Sequence, residues 1–153
     1  MAYVTAEARQ ELLDTIAEAA ESIGSGVGAL GDAYEQLDER SQDTLEEQLF
    51  RPAQAAYGRA KRTHTEFSAR HALPARAFAP PAAPGAPSRG AQGFLELAVE
   101  AFEHAEDVLT ELQDSMSPVE VGDPELRAGL AEVREHLAVI ADRAPKFMSL
   151  LGR

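Results

Sequence analysis

The chain has 153 residues, of which 44% are hydrophobic, so it is long enough and apolar enough to bury the core of one folded domain. It contains no cysteine, which excludes disulfides and thiolate metal sites, and its formal net charge of −12 at pH 7 disfavours nucleic acid as a partner. The sequence shows no secretory signal and no run of about 18 apolar residues that would predict a membrane span. We therefore expect a single domain, residues 1–153, located in the cytoplasm.

A first long helix is predicted to begin near Thr5 and to extend to about Asp38. Its large apolar residues recur in steps of three and four, with Ala20 filling one gap. This heptad seam consists of Leu13, Ile16, Ile23, Val27, Leu30, Tyr34 and Leu37. The pattern indicates a helix that packs against its neighbours along its whole length.

Small residues flank this seam, and four glycines lie near its centre. Each interior glycine costs about 1 kcal/mol relative to alanine, so a loop at residues 24–31 is the alternative to a continuous helix. The helix is favoured because the seam stays in phase on both sides of the glycines. We expect Gly24, Gly28, Gly31 and Tyr34 to form a packing and interaction surface where another backbone comes close.

A second helix is predicted after a turn at residues 39–43, with Thr44 as its N-cap and Glu47 completing a capping box, and Ser41 as an alternative cap. Pro52 either kinks this helix or begins a new one, and Pro74 ends it. The first two helices would then form a helical hairpin over residues 5–73.

Residues 74–92 contain five prolines, which predicts an extended and mobile linker. A linker of this length reaches roughly 60 Å at about 3.3 Å per residue, so the next helix can start at either end of the molecule. The third helix is predicted over residues 93–116. Ser117 with Pro118 and Asp123 with Pro124 are both typical helix starts, and we take the second as the start of the fourth helix, with a single turn between. Both helices carry the heptad pattern and form a second hairpin over residues 93–151, in which Pro145 is expected to bend the last helix.

Four helices with such seams predict an all-α fold, an antiparallel four-helix bundle with a long Pro-rich crossover between helices 2 and 3. The first two helices are predicted to be longer than the second two and to project beyond them. The projecting part would need a partner, so we expect self-association, as a homodimer.

Basic residues are concentrated in one part of the chain, since residues 51–92 carry seven bases and one acid. We expect a polar docking face on the second helix, formed by Arg59, Arg62, His64, Arg70 and His71. The alternative is that this face pairs with the acidic helices of the same chain or of a second copy. The two histidines are also candidates for pH sensing.

Motifs that would indicate catalysis or a cofactor are weak or missing. Residues 26–31 match G-x-G-x-x-G, but no strand precedes them, so we interpret these glycines as packing residues. No histidine follows a glutamate by three residues, as the di-metal bundles require, and no nucleophilic-serine or P-loop motif occurs. We therefore predict no metal, no cofactor and no small-molecule substrate.

The sequence favours a non-enzymatic helical protein that acts through protein–protein interaction and self-association. The alternative from another class is a ferritin-like bundle that binds a metal or a small ligand. An enzyme without a recognisable motif also stays open.

Overall fold

Helices account for 86% of the residues that the computed structural model describes, which are residues 6–79, 81 and 90–152, and no strand occurs among them. The predicted all-α class is confirmed. The described elements, in chain order, are α1 (Ala6–Tyr34), α2 (Glu39–Leu45), a π-helical turn (Glu46–Phe50), α3 (Arg51–Arg70), α4 (Gly90–Asp114), α5 (Ser117–Val121) and α6 (Pro124–Leu151). In the described part of the chain, no helix is long and apolar enough to cross a membrane.

Helix α1 is continuous through its glycines, as the phase of the seam predicts, but it ends at Tyr34 and not at Asp38. The seam residues before Tyr34 are buried, and so are several small residues beside them. This broad buried face allows α1 to pack against α4 on one side and α3 on the other.

Side-chain contacts give the directions of the packed helices. Along α1, Glu18 pairs with His104, and Ser22 donates a hydrogen bond of 2.6 Å to the carbonyl of Ala101. Later residues of α1 therefore meet earlier residues of α4, so the two helices are antiparallel. The same order relates α3 to α6, where Arg59 pairs with Glu132 while the end of α3 meets the start of α6.

The start of α2 differs from the prediction. Asp38 is its N-cap and accepts a hydrogen bond of 2.8 Å from the Ser41 N–H, so helix begins where a turn was expected. Thr44 and Glu47, the predicted capping box, lie within the helical segment.

Pro52 explains the π-helical turn between α2 and α3. Proline has no N–H to donate to the carbonyl of Gln48 four residues earlier, so regular α-helix is interrupted there. The N–H of Arg51 bonds instead to the carbonyl of Glu46, and Arg143 of α6 donates a hydrogen bond of 3.2 Å to the Gln48 carbonyl. The irregular turn is thereby tied to the opposite helix.

Helix α3 ends before Pro74, in a Schellman motif whose left-handed residue is Ala72 with φ of 53°. The chain then lies on the surface of α1 and α3 as a strap, residues 72–79. Phe78 of the strap packs on the core, and Tyr57 donates a hydrogen bond of 3.2 Å to the carbonyl of Ala79. This part of the predicted mobile linker is held by contacts, whereas residues 80 and 82–89 lie outside the described residues.

Asp123 caps α6 as predicted, accepting a hydrogen bond of 2.9 Å from the Leu126 N–H, and Pro145 does not end the helix. Helices α1, α4 and α6 contain 29, 25 and 28 residues, so their lengths at about 1.5 Å per residue differ by only about one turn. The expected projection of the first hairpin beyond the second is therefore small.

Candidate functional site

The predicted docking face of α3 is largely engaged inside the molecule. Arg59 pairs with Glu132 and also lies 3.5 Å from Glu66, whereas Arg62 is exposed. Of the other three residues, His64 is buried in the core, whereas Arg70 and His71 both contact Asp123. Whether a partner uses this face stays a prediction.

Arg70 and His71 both bind Asp123 at the start of α6. Two nitrogens of Arg70 lie 2.9 to 3.0 Å from the Asp123 carboxylate, and His71 Nε2 lies 2.9 Å from it. Burial by itself would raise the pKa of Asp123, but the hydrogen bonds that its carboxylate accepts and the charge of Arg70 outweigh burial and hold the pKa below its usual value of 3.8. This cluster fixes the end of α3 to the start of α6.

His64 lies in the core and not on a surface, since only 1% of it is exposed. The His64 and Phe78 rings meet edge-on with their centroids 5.1 Å apart. The Nδ1 atom of His64 has no hydrogen-bond partner in the described part of the chain. Burial lowers the pKa of His64 below its usual 6.5, although the charge of Asp14 on α1 partly opposes this.

The predicted packing residues of α1 have different environments. A Cβ on Gly24 would lie 3.0 Å from the Tyr57 ring, whereas a Cβ on Gly31 would meet nothing within 4 Å. Gly28 and Tyr34 are partly buried. Gly24 therefore makes room for an aromatic side chain and not for a second backbone. Gly26, which was not among the predicted packing residues, does the same for the ring of Phe102.

An open groove of about 340 Å³ lies between α4 and α6. Its lining is mainly apolar: Phe102, Leu137, Ile140 and Ala144 are buried, Val99 is partly buried and Ala141 is exposed. The α6 side of the groove is rich in alanine, and these small side chains leave space between α4 and α6 that larger side chains would fill. The groove is a candidate binding site because it is concave, apolar and on the surface.

Carboxylates form the edge of this groove, and we refer to Glu103, Glu106 and Asp107 as the acidic rim. Arg134 of α6 holds Glu106 through two hydrogen bonds of 2.9 and 2.7 Å. Glu103 and Asp107 are exposed. The groove therefore combines an apolar floor with a negative border.

The sequence reasoning missed this groove, although one signal was present. Ala138 and Ala141, both exposed, stand beside the buried seam of the fourth helix. Small exposed residues next to a seam indicate a place where packing is incomplete.

Within the described residues, no group of three or more histidines and acids is arranged to hold a metal ion. His104, which stands four residues after Glu100, lies 3.3 Å from Glu18 of α1. No protein-family model, curated protein or solved structure matches this chain at a significant level.

Proposed function

We propose that this protein is a non-enzymatic binding module that docks another protein in the groove between α4 and α6. The observation that carries the proposal is the apolar groove itself, which is open to solvent and bordered by exposed carboxylates. A concave, mainly apolar site with a polar border is typical of sites that bind other molecules, including proteins. The expected location in the cytoplasm stays a prediction.

The proposed architecture is an antiparallel four-helix bundle of α1, α3, α4 and α6, with a long Pro-rich crossover between α3 and α4. Two observations support it: Glu18 of α1 meets His104 of α4, and the carboxylate of Asp14 on α1 acts on His64 of α3. In this architecture α3 and α4 both run opposite to α1, and the chain between them returns along the bundle. A Pro-rich segment of this length suits such a return.

Self-association through the groove is less favourable than binding a different protein. A twofold axis that sets the α4 wall of one copy against the α4 wall of the other would bring two acidic rims together, and like charges there oppose docking. The projection that favoured a homodimer is also small, because α1 and α6 differ by one residue in length. A homodimer remains one outcome of the test.

The test places a photo-crosslinking amino acid at Ala138, which is exposed and lines the groove. The matched control is the same substitution at Ala128, an exposed alanine of the same helix that lines a different cavity beside Arg59. Both variants are irradiated in the living host cell, and the adducts are identified by mass spectrometry.

We expect Ala138, and not Ala128, to give adducts with a different protein. An adduct of twice the chain mass from Ala138 would instead show self-association. Adducts with only a small metabolite would overturn the proposal in favour of a ligand-binding bundle. Equal patterns from both positions would remove the groove as the site.

A further inference from the structure

We infer that the α4–α6 groove binds an amphipathic helix whose apolar stripe is flanked by lysine or arginine. This inference deepens the proposed function and rests on it. Three features carry it: the length of the groove, the charge of its rim, and the surroundings of Pro145.

The length of the groove suits two turns of a docked helix. Its lining spans residues 99–107 of α4 and residues 137–145 of α6. Eight helical steps advance about 12 Å, and the apolar residues of a docked helix at positions i, i+4 and i+7 span about 10 Å. A helix can therefore place a complete set of anchors between the two walls.

The charge of the rim selects a basic partner. Residues 93–116 contain seven acids and no lysine or arginine. Glu103 and Asp107 are exposed and lie four residues apart, so both face the same side of α4. Cations that flank an apolar stripe would meet this pair, whereas anionic lipid, nucleic acid and an acidic helix would be repelled.

Pro145 adds an acceptor at the end of the groove. Because proline has no N–H, the carbonyl of Ala141 lacks its usual helical donor. Ala141 and Pro145 are both exposed and both line the groove. A lysine or arginine of the docked helix can supply a donor there.

The experiment uses the full chain and three labelled synthetic peptides, with binding followed by fluorescence anisotropy at about 150 mM salt. The first peptide carries leucines at i, i+4 and i+7 with lysines on both flanks. The second has glutamates in place of the lysines. The third has the composition of the first in an order that destroys the apolar stripe.

Charge reversal on the protein separates the rim from general attraction to an acidic molecule. The test variant is Glu103→Lys with Asp107→Lys, and the matched control is Asp43→Lys with Glu47→Lys, another exposed acidic pair four residues apart on a helix. Both change the net charge equally. A third variant, Ala141→Trp, fills the groove from an exposed position, and circular dichroism confirms that each variant is folded.

We expect the basic peptide to bind at least about tenfold more tightly than the other two. The rim variant should weaken its binding by about tenfold, Ala141→Trp should weaken it as much, and the control pair should change it by less than about twofold. Equal loss in the rim and control variants would overturn the inference, because the attraction would then be general.

The failure of this inference is distinguishable from the failure of the proposed function. If Ala138 crosslinks to a protein in cells but the acidic peptide binds as well as the basic one, or neither binds, the basic helix is wrong as the occupant and the docking function stands. If the crosslinks are also missing, both are wrong.

Discussion

Gly26 and Phe102 form a close contact between α1 and α4. A Cβ on Gly26 would lie 2.4 Å from Cε1 of the Phe102 ring, which is itself buried. Glycine at this position therefore makes room for an aromatic side chain. Gly31, five residues later on α1, has no such neighbour, because a Cβ there would meet nothing within 4 Å.

We predict opposite effects of alanine at these two glycines. Gly26→Ala should lower the free energy of unfolding by about 1–2 kcal/mol, because displacing a buried ring costs more than the gain in helix propensity. Gly31→Ala should raise it by about 0.5–1 kcal/mol, since only the propensity changes. Urea unfolding followed by circular dichroism measures both. Stabilisation of similar size at both positions would contradict the contact with Phe102.

At the scale of elements, periodicity predicted the long helices because burial repeats every three or four residues along α1, α4 and α6. The N-cap Asp123 was also predictable, since Pro124 follows it. Asp38 was missed because Thr44 and Glu47 imitate a capping box nearby. The hydrogen bond from Arg143 to Gln48 joins residues far apart in sequence, so no local pattern could indicate it.

The candidate site was less predictable than the helices. Heptad positions show which face of α4 and α6 is buried but not how far apart the two helices stand. Whether Ala138 and Ala141 leave a groove depends on that separation, which only the assembled structure gives. The burial of His64 could not be predicted for a similar reason, because the strap that covers it carries no periodic signal.

The strap makes His64 a source of acid sensitivity. Because the pKa of His64 is lowered by burial, the unfolded chain takes up a proton as the pH falls through about 6.5, whereas the folded protein takes it up only at a lower pH. We therefore predict that the free energy of unfolding falls as the pH is lowered below about 6.5, by at most about 1.4 kcal/mol per pH unit from this group, until His64 of the folded protein is itself protonated. Urea unfolding at a series of pH values measures the slope.

His64→Leu should remove most of this slope, whereas the matched change His104→Leu, at an exposed ring, should keep it. The lowered pKa of Asp123 acts in a different window, because its stabilisation is present above about pH 3.8 and is lost as the pH falls through its lower folded pKa. A slope that is the same with and without His64 would contradict the buried, neutral state of this histidine.

At the scale of the whole molecule, the formal net charge of −12 opposes the folded state, because folding brings the acids closer together. Exposed carboxylates lie on α1 and on α4, which pack against each other, so the repulsion is spread over one side of the molecule. Ion pairs such as Arg70 with Asp123 act in the other direction. Salt screens both the repulsion and the ion pairs, so the direction in which salt changes the stability shows which of the two is larger.

We predict that repulsion is larger, so that raising the salt concentration from about 20 to about 200 mM raises the melting temperature by a few degrees. The two double charge-reversal variants, at Glu103 with Asp107 and at Asp43 with Glu47, should both show a smaller rise in melting temperature, because each makes the net charge less negative by the same amount. Calorimetric melting of the three proteins measures this. A fall in melting temperature with salt would mean that the ion pairs outweigh the repulsion. If only the rim variant shows a reduced rise, the repulsion is concentrated at the groove. A basic partner bound there would then relieve it.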